Sequence, residues 1–232
     1  MEPHSALPKP RQMTPLVTRP GAVLLPPRLF APVAYYAVAA RYGTVAVDAG
    51  MRFDKRCKAV HRYRIADTRG PLELTVPVAR PSGSSSAAGC PWDAVPVSAH
   101  GQWWQTHITA LESAYGRTPF FDHYMEQLGP LFAPRPLADN DTAGLLCLHA
   151  HSTVCRFLGL DVREVTPEEA MACGEGCDDF RKSMPAVSET EYWQVRRHLL
   201  GFIPGLSILD LIFNLGPEAP LALLDMKPQF QL

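Results

Sequence analysis

The sequence predicts an α/β fold, with a small mainly parallel or mixed sheet in the N-terminal half and helices packed on it from the C-terminal half. The first reason is the order of apolar segments near the start of the chain. A short apolar run at residues 23–25 precedes a helical spacing of apolar residues over 30–42, and a second apolar run follows at 44–47. This strand, helix, strand order is typical of a parallel β-α-β unit.

The second and third reasons are a hairpin pattern and a later change to helical spacing. Residues 59–65 and 72–78 alternate between two faces on either side of a turn at Gly70-Pro71, and this pattern predicts a β-hairpin. Helical spacing then predicts five helices, over residues 102–115, 119–128, 140–158, 191–200 and 208–214.

The composition is that of a folded domain. Of 232 residues, 47% are hydrophobic and 19% are charged, and a chain of this size can bury a substantial core. We expect a single domain over residues 21–232, with a flexible loop at 80–91 and an irregular acidic loop at 166–190. Five prolines among polar residues predict a disordered leader over residues 1–20, which lacks the apolar segment of a signal peptide.

Net charge and cysteine content limit the kinds of partner and the cellular compartment that we expect. The net charge of −1 gives no overall attraction to nucleic acid or to anionic lipid, so an anion site must be local. No apolar run approaches the roughly 18 residues that span a bilayer. Six cysteines without a secretion signal favour reduced thiols, and we therefore expect a cytoplasmic protein.

A metal site is the less favoured interpretation of one cysteine- and histidine-bearing helix. Cys147, His151 and Cys155 share a helix face, but the two cysteines are separated by roughly 12 Å of helical rise and cannot both reach one zinc ion. The alternative pairs His151 and Cys155 with Cys173 and Cys177. Because thiols in helices are often simply buried, we predict no metal and no cofactor.

The segment between residues 52 and 64 is strongly basic. It carries one acid, Asp54, against six cationic side chains, namely Arg52, Lys55, Arg56, Lys58, Arg62 and Arg64. Guanidinium groups bind phosphate in a bidentate manner, and ligands of open α/β sheets usually lie near loops that follow strands. We therefore predict that Lys55, Arg56 and Arg62 contact a phosphorylated ligand. The alternative is a solvated basic strand whose charges pair with acids elsewhere.

Five further residues are candidates for chemistry or ligand contact. Asp48 follows the second apolar run as a candidate acid, base or metal ligand, with a turn or cap residue as the alternative. Trp103 and His107 lie one helical turn apart, where an indole and an imidazole that titrates near neutrality would meet a sugar; a half-buried structural histidine is the alternative. Asn214 and Glu218 flank Gly216-Pro217, as ligand contacts or as structural residues.

Three stretches resemble the WbqC-like protein family. They are LLPPRLFAPVAYYAVAARYGTVAV, HGQWWQTHITALESAYGRTPFFDHY and GFIPGLSILDLIFNLGPEA, in the order that the family has them. The resemblance implies an α/β protein of bacterial surface-polysaccharide biosynthesis, of the O-antigen type. For some members it implies transfer of an acyl or aminoacyl group to an amino sugar.

Two hypotheses of function follow. The first is an enzyme that binds a sugar nucleotide or other phosphorylated small molecule and acts as a transferase on an amino sugar. The second is a non-catalytic binding or scaffold protein of the same pathway. The family often has glutamate where this chain has Met51 and Leu215, and an Asn-Arg pair where it has His61-Arg62, with the spacing changed by one. The differences at Met51 and Leu215 favour the second hypothesis.

Overall fold

The protein is described by a computed structural model that covers residues 17–54, 57–81, 89–135 and 141–230. The fold class is confirmed. The sheet has four parallel strands, β1 (Arg19–Leu25), β2 (Tyr42–Val47), β5 (Arg163–Glu164) and β6 (Cys177–Asp179), in the order β5-β2-β1-β6. β1 begins within the last two residues of the predicted leader, and residues 1–16 lie outside the described part of the chain.

The predicted β-α-β unit is present. Helix α1 (Val33–Ala39) joins β1 to β2, and six of its seven residues are buried. A helix that is apolar on nearly every side has to be covered on nearly every side. Helix α8 (Ala219–Asp225) packs against α1 and covers part of it. The buried Arg41, two residues after α1, ties the two elements together, because its Nη2 donates to the carbonyl oxygens of Leu223, Leu224 and Met226 at 3.2, 3.0 and 2.7 Å.

The predicted hairpin is also present, as β3 (Arg62–Asp67) and β4 (Gly70–Thr75). Tyr63, Ile65 and Leu74 are buried on its inner face. Because side chains alternate along a strand, Arg62, Arg64 and Glu73 share the outer face. The same alternation that predicts the hairpin therefore places the basic side chains on its outer face.

Four of the five predicted helices match closely: α2 (Trp103–Tyr115), α3 (Phe121–Leu128), α4 (Ala143–Phe157) and α7 (Ile208–Leu215). Side-chain oxygens cap two of them at their N-termini. Thr142 Oγ1 accepts from the Leu145 amide at 3.3 Å at the start of α4, and Ser207 Oγ accepts from the Leu209 amide at 3.2 Å at the start of α7.

The fifth prediction, a helix over residues 191–200, is wrong for most of its length. Only α6 (Arg197–Leu200) is helical. The preceding residues bond to side chains in other parts of the fold instead of to their own backbone. Tyr192 donates to Asp210 at 2.7 Å, and the Val195 amide donates to Asn214 at 2.9 Å. Tertiary contacts have replaced the helical pattern here.

The acidic stretch 166–190 has more regular structure than its sequence indicates. It contains α5 (Pro167–Met171), β6 and β7 (Ala186–Ser188), and β7 pairs with β8 (Lys227–Gln229) near the C-terminus. Thr166 and Glu169 form a reciprocal capping box at the start of α5. In the predicted flexible loop, residues 82–88 lie outside the described part of the chain.

Across the part of the chain that the structure describes, none of the helices combines the length and the apolar character that crossing a bilayer requires.

Candidate functional site

A basic cavity of ≈ 190 Å³ lies beside the outer face of the hairpin. We call it the basic cavity. Its principal lining residues are Arg62, Arg64, Glu73, Lys58, Phe30 and Ser207. They come from the hairpin, the short turn before it, the loop between β1 and α1, and the loop before α7. Three cationic side chains thus meet one carboxylate at a single concave surface.

The single carboxylate is loosely paired. Glu73 lies directly opposite Arg64 in the β3–β4 register. Its carboxylate oxygens are 3.7 Å from Nη1 of Arg62 and 3.9 Å from Nη2 of Arg64, and all three side chains are partly exposed. Charge-assisted hydrogen bonds are about 2.7–2.9 Å long, so both contacts are weak. Nε of Arg62 is buried and has no hydrogen-bond partner among the described residues.

One wall of the basic cavity is conformationally strained. Phe30 has φ of 40°, in the left-handed region that non-glycine residues rarely adopt. Its carbonyl oxygen accepts from Ser207 Oγ at 2.8 Å, and its ring packs on those of Tyr63 and Phe132 with centroids 5.1 and 5.6 Å apart. Such backbone costs about 1–3 kcal/mol and persists where the surroundings fix it, most often at functional sites.

A second cavity, of ≈ 310 Å³, lies at the start of α2 and is called the α2 cavity. Trp103, His107, Thr106, Thr75, His100 and Glu73 line it, so Glu73 belongs to both cavities. Trp103 is buried, and its Nε1–H has no hydrogen-bond partner among the described residues. The two residues predicted to meet a sugar are thus brought together at one cavity.

His107 is a buried, fully bonded histidine. Its Nε2 donates to the carbonyl oxygen of Thr75 at 3.2 Å, since a carbonyl can only accept. Its Nδ1 therefore accepts from the Tyr63 hydroxyl at 3.1 Å. Burial lowers the pKa of His107 to about 4, only partly offset by the bond to Thr75. The ring is neutral at pH 7, and this arrangement suits it to positioning Tyr63.

Asp48 lies at a third, acidic cavity of ≈ 520 Å³, formed by the ends of β2 and β5 and the start of α5. Its Oδ2 is 2.8 Å from Nη1 of Arg181, which follows β6 on the far side of β1. Arg181 also pairs with Asp179 at 2.7 Å, and this bond together with the Asp48 contact raises the pKa of the guanidinium. No group of three potential metal ligands occurs within the described residues.

Asn214 lies in the core, where both ends of its amide are used. Oδ1 accepts from the Val195 amide at 2.9 Å, and Nδ2 donates to the carbonyl oxygen of Asp210 at 2.7 Å. The adjacent Asp210 carboxylate is fully buried, and burial raises its pKa to about 6 despite the hydrogen bond from Tyr192. The Asn214 side chain therefore links the segment before α6 to α7.

The predicted site residues are therefore distributed over several places. Glu218 is exposed in the turn before α8, and Lys55 and Arg56 lie outside the described residues. Arg62 lines the basic cavity, Trp103 and His107 the α2 cavity, and Asp48 the acidic cavity. Tyr63 connects the first two, because it lines the basic cavity and its ring centroid lies 5.4 Å from that of His107, which lines the α2 cavity.

Glu73 is the residue that sequence reasoning missed. Its signal was available, since it lies between Leu72 and Leu74 in the alternating segment and so belongs to the outer face. The cation that lies opposite Glu73 depends on the strand register, and the turn sequence alone does not specify that register. The register aligns Glu73 with Arg64 and Thr75 with Arg62.

Comparison with known proteins identifies the family. The profile of the WbqC-like protein family matches residues 27–197, about three quarters of the chain. No curated protein and no solved structure matches the chain. The match includes the hairpin, α2 and Asp48, and it ends before the loop that carries Ser207 to the basic cavity. The chain belongs to the WbqC-like protein family.

Proposed function

We propose that this protein binds the phosphoryl group of a sugar nucleotide or of another phosphorylated small molecule in the basic cavity. The observation that supports this proposal is the charge arrangement there: among the described residues that line the cavity, Lys58, Arg62 and Arg64 are opposed by one carboxylate, Glu73, whose oxygens are 3.7 and 3.9 Å from the arginines. Guanidinium groups bind phosphate in a bidentate manner, and lysine adds a point charge. The unpartnered Nε–H of Arg62 is a further donor.

The size of the basic cavity limits how much of the ligand it holds. Small-molecule pockets usually occupy about 300–1,000 Å³, whereas this cavity has ≈ 190 Å³. A phosphoryl group fits such a volume, while a whole sugar nucleotide does not. The remainder of the ligand would lie over the rim, where Lys58 and Arg64 are exposed.

The wider role we propose is in the biosynthesis of bacterial surface polysaccharide. On this proposal the protein acts as a transferase that moves an acyl or aminoacyl group to an amino sugar, with Asp48 and His107 as its candidate acid–base groups. Neither residue lines the basic cavity. Phosphoryl binding is therefore independent of the identity of any acid or base.

A second candidate function is a non-catalytic binding or scaffold protein of the same pathway. The state of the two candidate acid–base groups favours it. His107 has a pKa of about 4 and partners at both ring nitrogens, and Asp48 is held by Arg181 at 2.8 Å. A general base needs a free lone pair, but both ring nitrogens of His107 are occupied and the Arg181 guanidinium holds Oδ2 of Asp48.

The experiment is a thermal-shift screen with UDP-sugars, with and without acetyl-coenzyme A as the acyl donor. A ligand at 100 times its Kd stabilises the folded state by about 2.7 kcal/mol, which raises the Tm of a protein of this size by roughly 5–10 °C. We expect this shift in the wild type and its loss in Arg62→Ala. Arg69→Ala, at the exposed hairpin turn, is the matched control and keeps the shift.

The outcomes separate the two candidate functions from failure of the proposal. Formation of an acylated sugar from a bound UDP-sugar, detected by mass spectrometry, identifies an enzyme. Binding without product formation when acetyl-coenzyme A is present supports the binding protein. If no UDP-sugar shifts the Tm of the wild type, the proposed phosphoryl site is wrong.

A further inference from the structure

The basic cavity and the α2 cavity are adjacent across the hairpin. Glu73 lines both of them. Thr75, which lines the α2 cavity, is paired in register with Arg62, which lines the basic cavity. Side chains directly opposite each other on neighbouring strands have Cβ atoms about 4.5–5.5 Å apart. A group bound at one cavity therefore lies within reach of the other, and Glu73 is at their boundary.

The α2 cavity has the surface that a sugar ring requires. Trp103 contributes an indole that is 4% exposed, and its Nε1–H donates to no described residue. Thr106 and His100 are exposed polar residues of the lining. The volume of ≈ 310 Å³ is at the lower end of the range for small-molecule pockets, about 300–1,000 Å³. An indole with a free N–H beside hydroxyl and carboxylate groups suits a polyhydroxylated ligand.

The backbone at the mouth of the α2 cavity is strained. Gly101 has φ of 71° and Gln102 has φ of 48°, two consecutive left-handed residues immediately before α2. Gln102 is not a glycine, and its side chain makes no capping hydrogen bond to the helix. Trp103 and Thr106, in the first turn of α2, line the α2 cavity together with Thr75 and Glu73. The pair Gly101 and Gln102 is a second strained backbone segment at the paired cavities, after Phe30.

We infer that the α2 cavity binds an amino sugar, with its ammonium group against the Glu73 carboxylate, and that an anion in the basic cavity strengthens this binding. The inference rests on the proposed function, because it needs a phosphoryl group at Arg62 and Arg64. In the unliganded protein those two guanidinium groups hold Glu73 and repel a nearby ammonium group. A bound phosphoryl group takes over the guanidinium groups and leaves the carboxylate to the amine.

Replacing Glu73 by a phosphoryl group at the two guanidinium groups costs little free energy, because the existing contacts are weak. The Glu73 oxygens are 3.7 and 3.9 Å from the arginines, and the Glu73 side chain is 56% exposed. Exposed pairs of this kind contribute little to stability. Phosphoryl oxygens at hydrogen-bond distance replace them with stronger, bidentate contacts. Since coupling between two binding sites is reciprocal, the amino sugar must equally strengthen anion binding.

The test follows the Trp103 indole N–H by NMR in the full-length, ¹⁵N-labelled protein. Four tryptophans give four indole resonances, and Trp103→Phe removes the relevant one. If that variant fails to fold, substituting the other three tryptophans assigns the resonance by elimination. D-Glucosamine is titrated with and without saturating UDP. We expect the Trp103 resonance to move and the apparent Kd for glucosamine to fall at least fivefold when UDP is present.

Glu73→Gln is the decisive variant, and its exposed position makes a folding defect unexpected. It should abolish the effect of UDP on glucosamine binding, and D-glucose, which lacks the amino group, should show no such effect in the wild type. An unmoved Trp103 resonance with UDP present overturns the inference, as does UDP dependence that survives in Glu73→Gln. UDP binding alone is measured separately by calorimetry, so failure of the phosphoryl site is distinguished from failure of the sugar subsite.

Discussion

The hydroxyl of Tyr63 donates to Nδ1 of His107 at 3.1 Å and joins the wall of the basic cavity to the wall of the α2 cavity. The opposite nitrogen of the ring donates to Thr75 at 3.2 Å, so the imidazole is held between the two strands of the hairpin and the helix that covers them. The bond from Tyr63 requires a neutral ring, because Nδ1 can accept only when it carries no proton, whereas Nε2–H donates to Thr75 in either protonation state. The stability of this contact therefore depends on pH.

The first prediction concerns His107 and acid. Its pKa is about 4 in the folded protein against 6.5 for the free side chain, so the unfolded chain binds the extra proton first as the pH falls. The contribution of His107 is complete above pH 6.5 and is lost as the pH falls toward 4. We expect His107→Gln to lower the free energy of unfolding at pH 7.5 by about 1–3 kcal/mol.

Denaturant unfolding at two pH values checks this prediction. At pH 5 the difference between wild type and His107→Gln should shrink by about 2 kcal/mol, following the 1.36 kcal/mol per pKa unit. The imidazole resonances of His107 should titrate below pH 5. A difference that stays constant with pH, or an imidazole that titrates near 6.5, would contradict the burial argument.

The second prediction has the opposite sign and concerns Asp210. Its pKa is about 6 in the folded protein against 3.8, because burial penalises the carboxylate more than Tyr192 stabilises it. Its favourable contribution is complete below pH 3.8 and is lost as the pH rises through 6. Asp210→Asn carries no charge to bury. Relative to wild type, we expect this variant to gain about 2 kcal/mol between pH 4.5 and pH 7.5.

Chemical denaturation of both proteins at pH 4.5 and 7.5 gives the comparison for Asp210. Tyr192→Phe is the control, since it removes the hydrogen bond from the Tyr192 hydroxyl to Oδ2 of Asp210 while keeping the ring. It should be destabilised more at pH 7.5 than at pH 4.5. If the free energies of unfolding of wild type and Asp210→Asn change equally between the two pH values, burial does not disfavour the ionised form of Asp210 and the prediction is wrong.

The third prediction concerns the packing of α4. A Cβ at Gly144 would lie 2.6 Å from the Asp93 amide nitrogen and 2.8 Å from the Trp92 carbonyl carbon, both backbone atoms that cannot turn aside. Overpacking of this kind costs about 1–3 kcal/mol. Gly144→Ala should therefore lower the Tm by several degrees. Gly129→Ala, where a Cβ meets nothing within 4 Å, should leave the Tm unchanged.

The fourth prediction separates a structural from a chemical role for Asp48. Arg181 links it to Asp179 across β1, and both Arg181 contacts are 2.8 Å or shorter. Arg181→Ala should lower the free energy of unfolding by about 1–3 kcal/mol, because it leaves a largely buried carboxylate unpaired. Lys182→Ala, next in the chain and exposed, should have no effect. If Arg181→Ala leaves the free energy of unfolding unchanged, the contact with Asp48 is not structural, and a chemical role for Asp48 is favoured.

The sequence predicts secondary structure best where burial in the fold determines the spacing of apolar residues. The apolar runs of β1 and β2 and the alternation of β3 and β4 predict the sheet and the hairpin, because those faces are buried in the final fold. β5 and β6 could not be predicted, since they are two and three residues long and carry Arg163, Glu164, Asp178 and Asp179. Their strand character comes from pairing with β2 and β1.

The candidate site was predictable in its charges but not in its geometry. The basic segment identifies Arg62 directly, because cations recur on one face of a strand. The separation of Arg62 from His107 could not be predicted, since it depends on Tyr63 packing inward against the ring of Phe30. The positive φ of Phe30 that supports this packing leaves no signature in the sequence, because any residue type there would normally be expected at negative φ.

The affinity of UDP for the wild type, compared with Arg62→Ala and Arg69→Ala by isothermal titration calorimetry at low salt, tests the central claim most directly. We expect Arg62→Ala to weaken binding at least tenfold, which corresponds to about 1.4 kcal/mol, because it removes a bidentate phosphate ligand. Arg69→Ala should bind as the wild type does. Equal weakening by both substitutions, or unchanged affinity in Arg62→Ala, would contradict a phosphoryl site in the basic cavity.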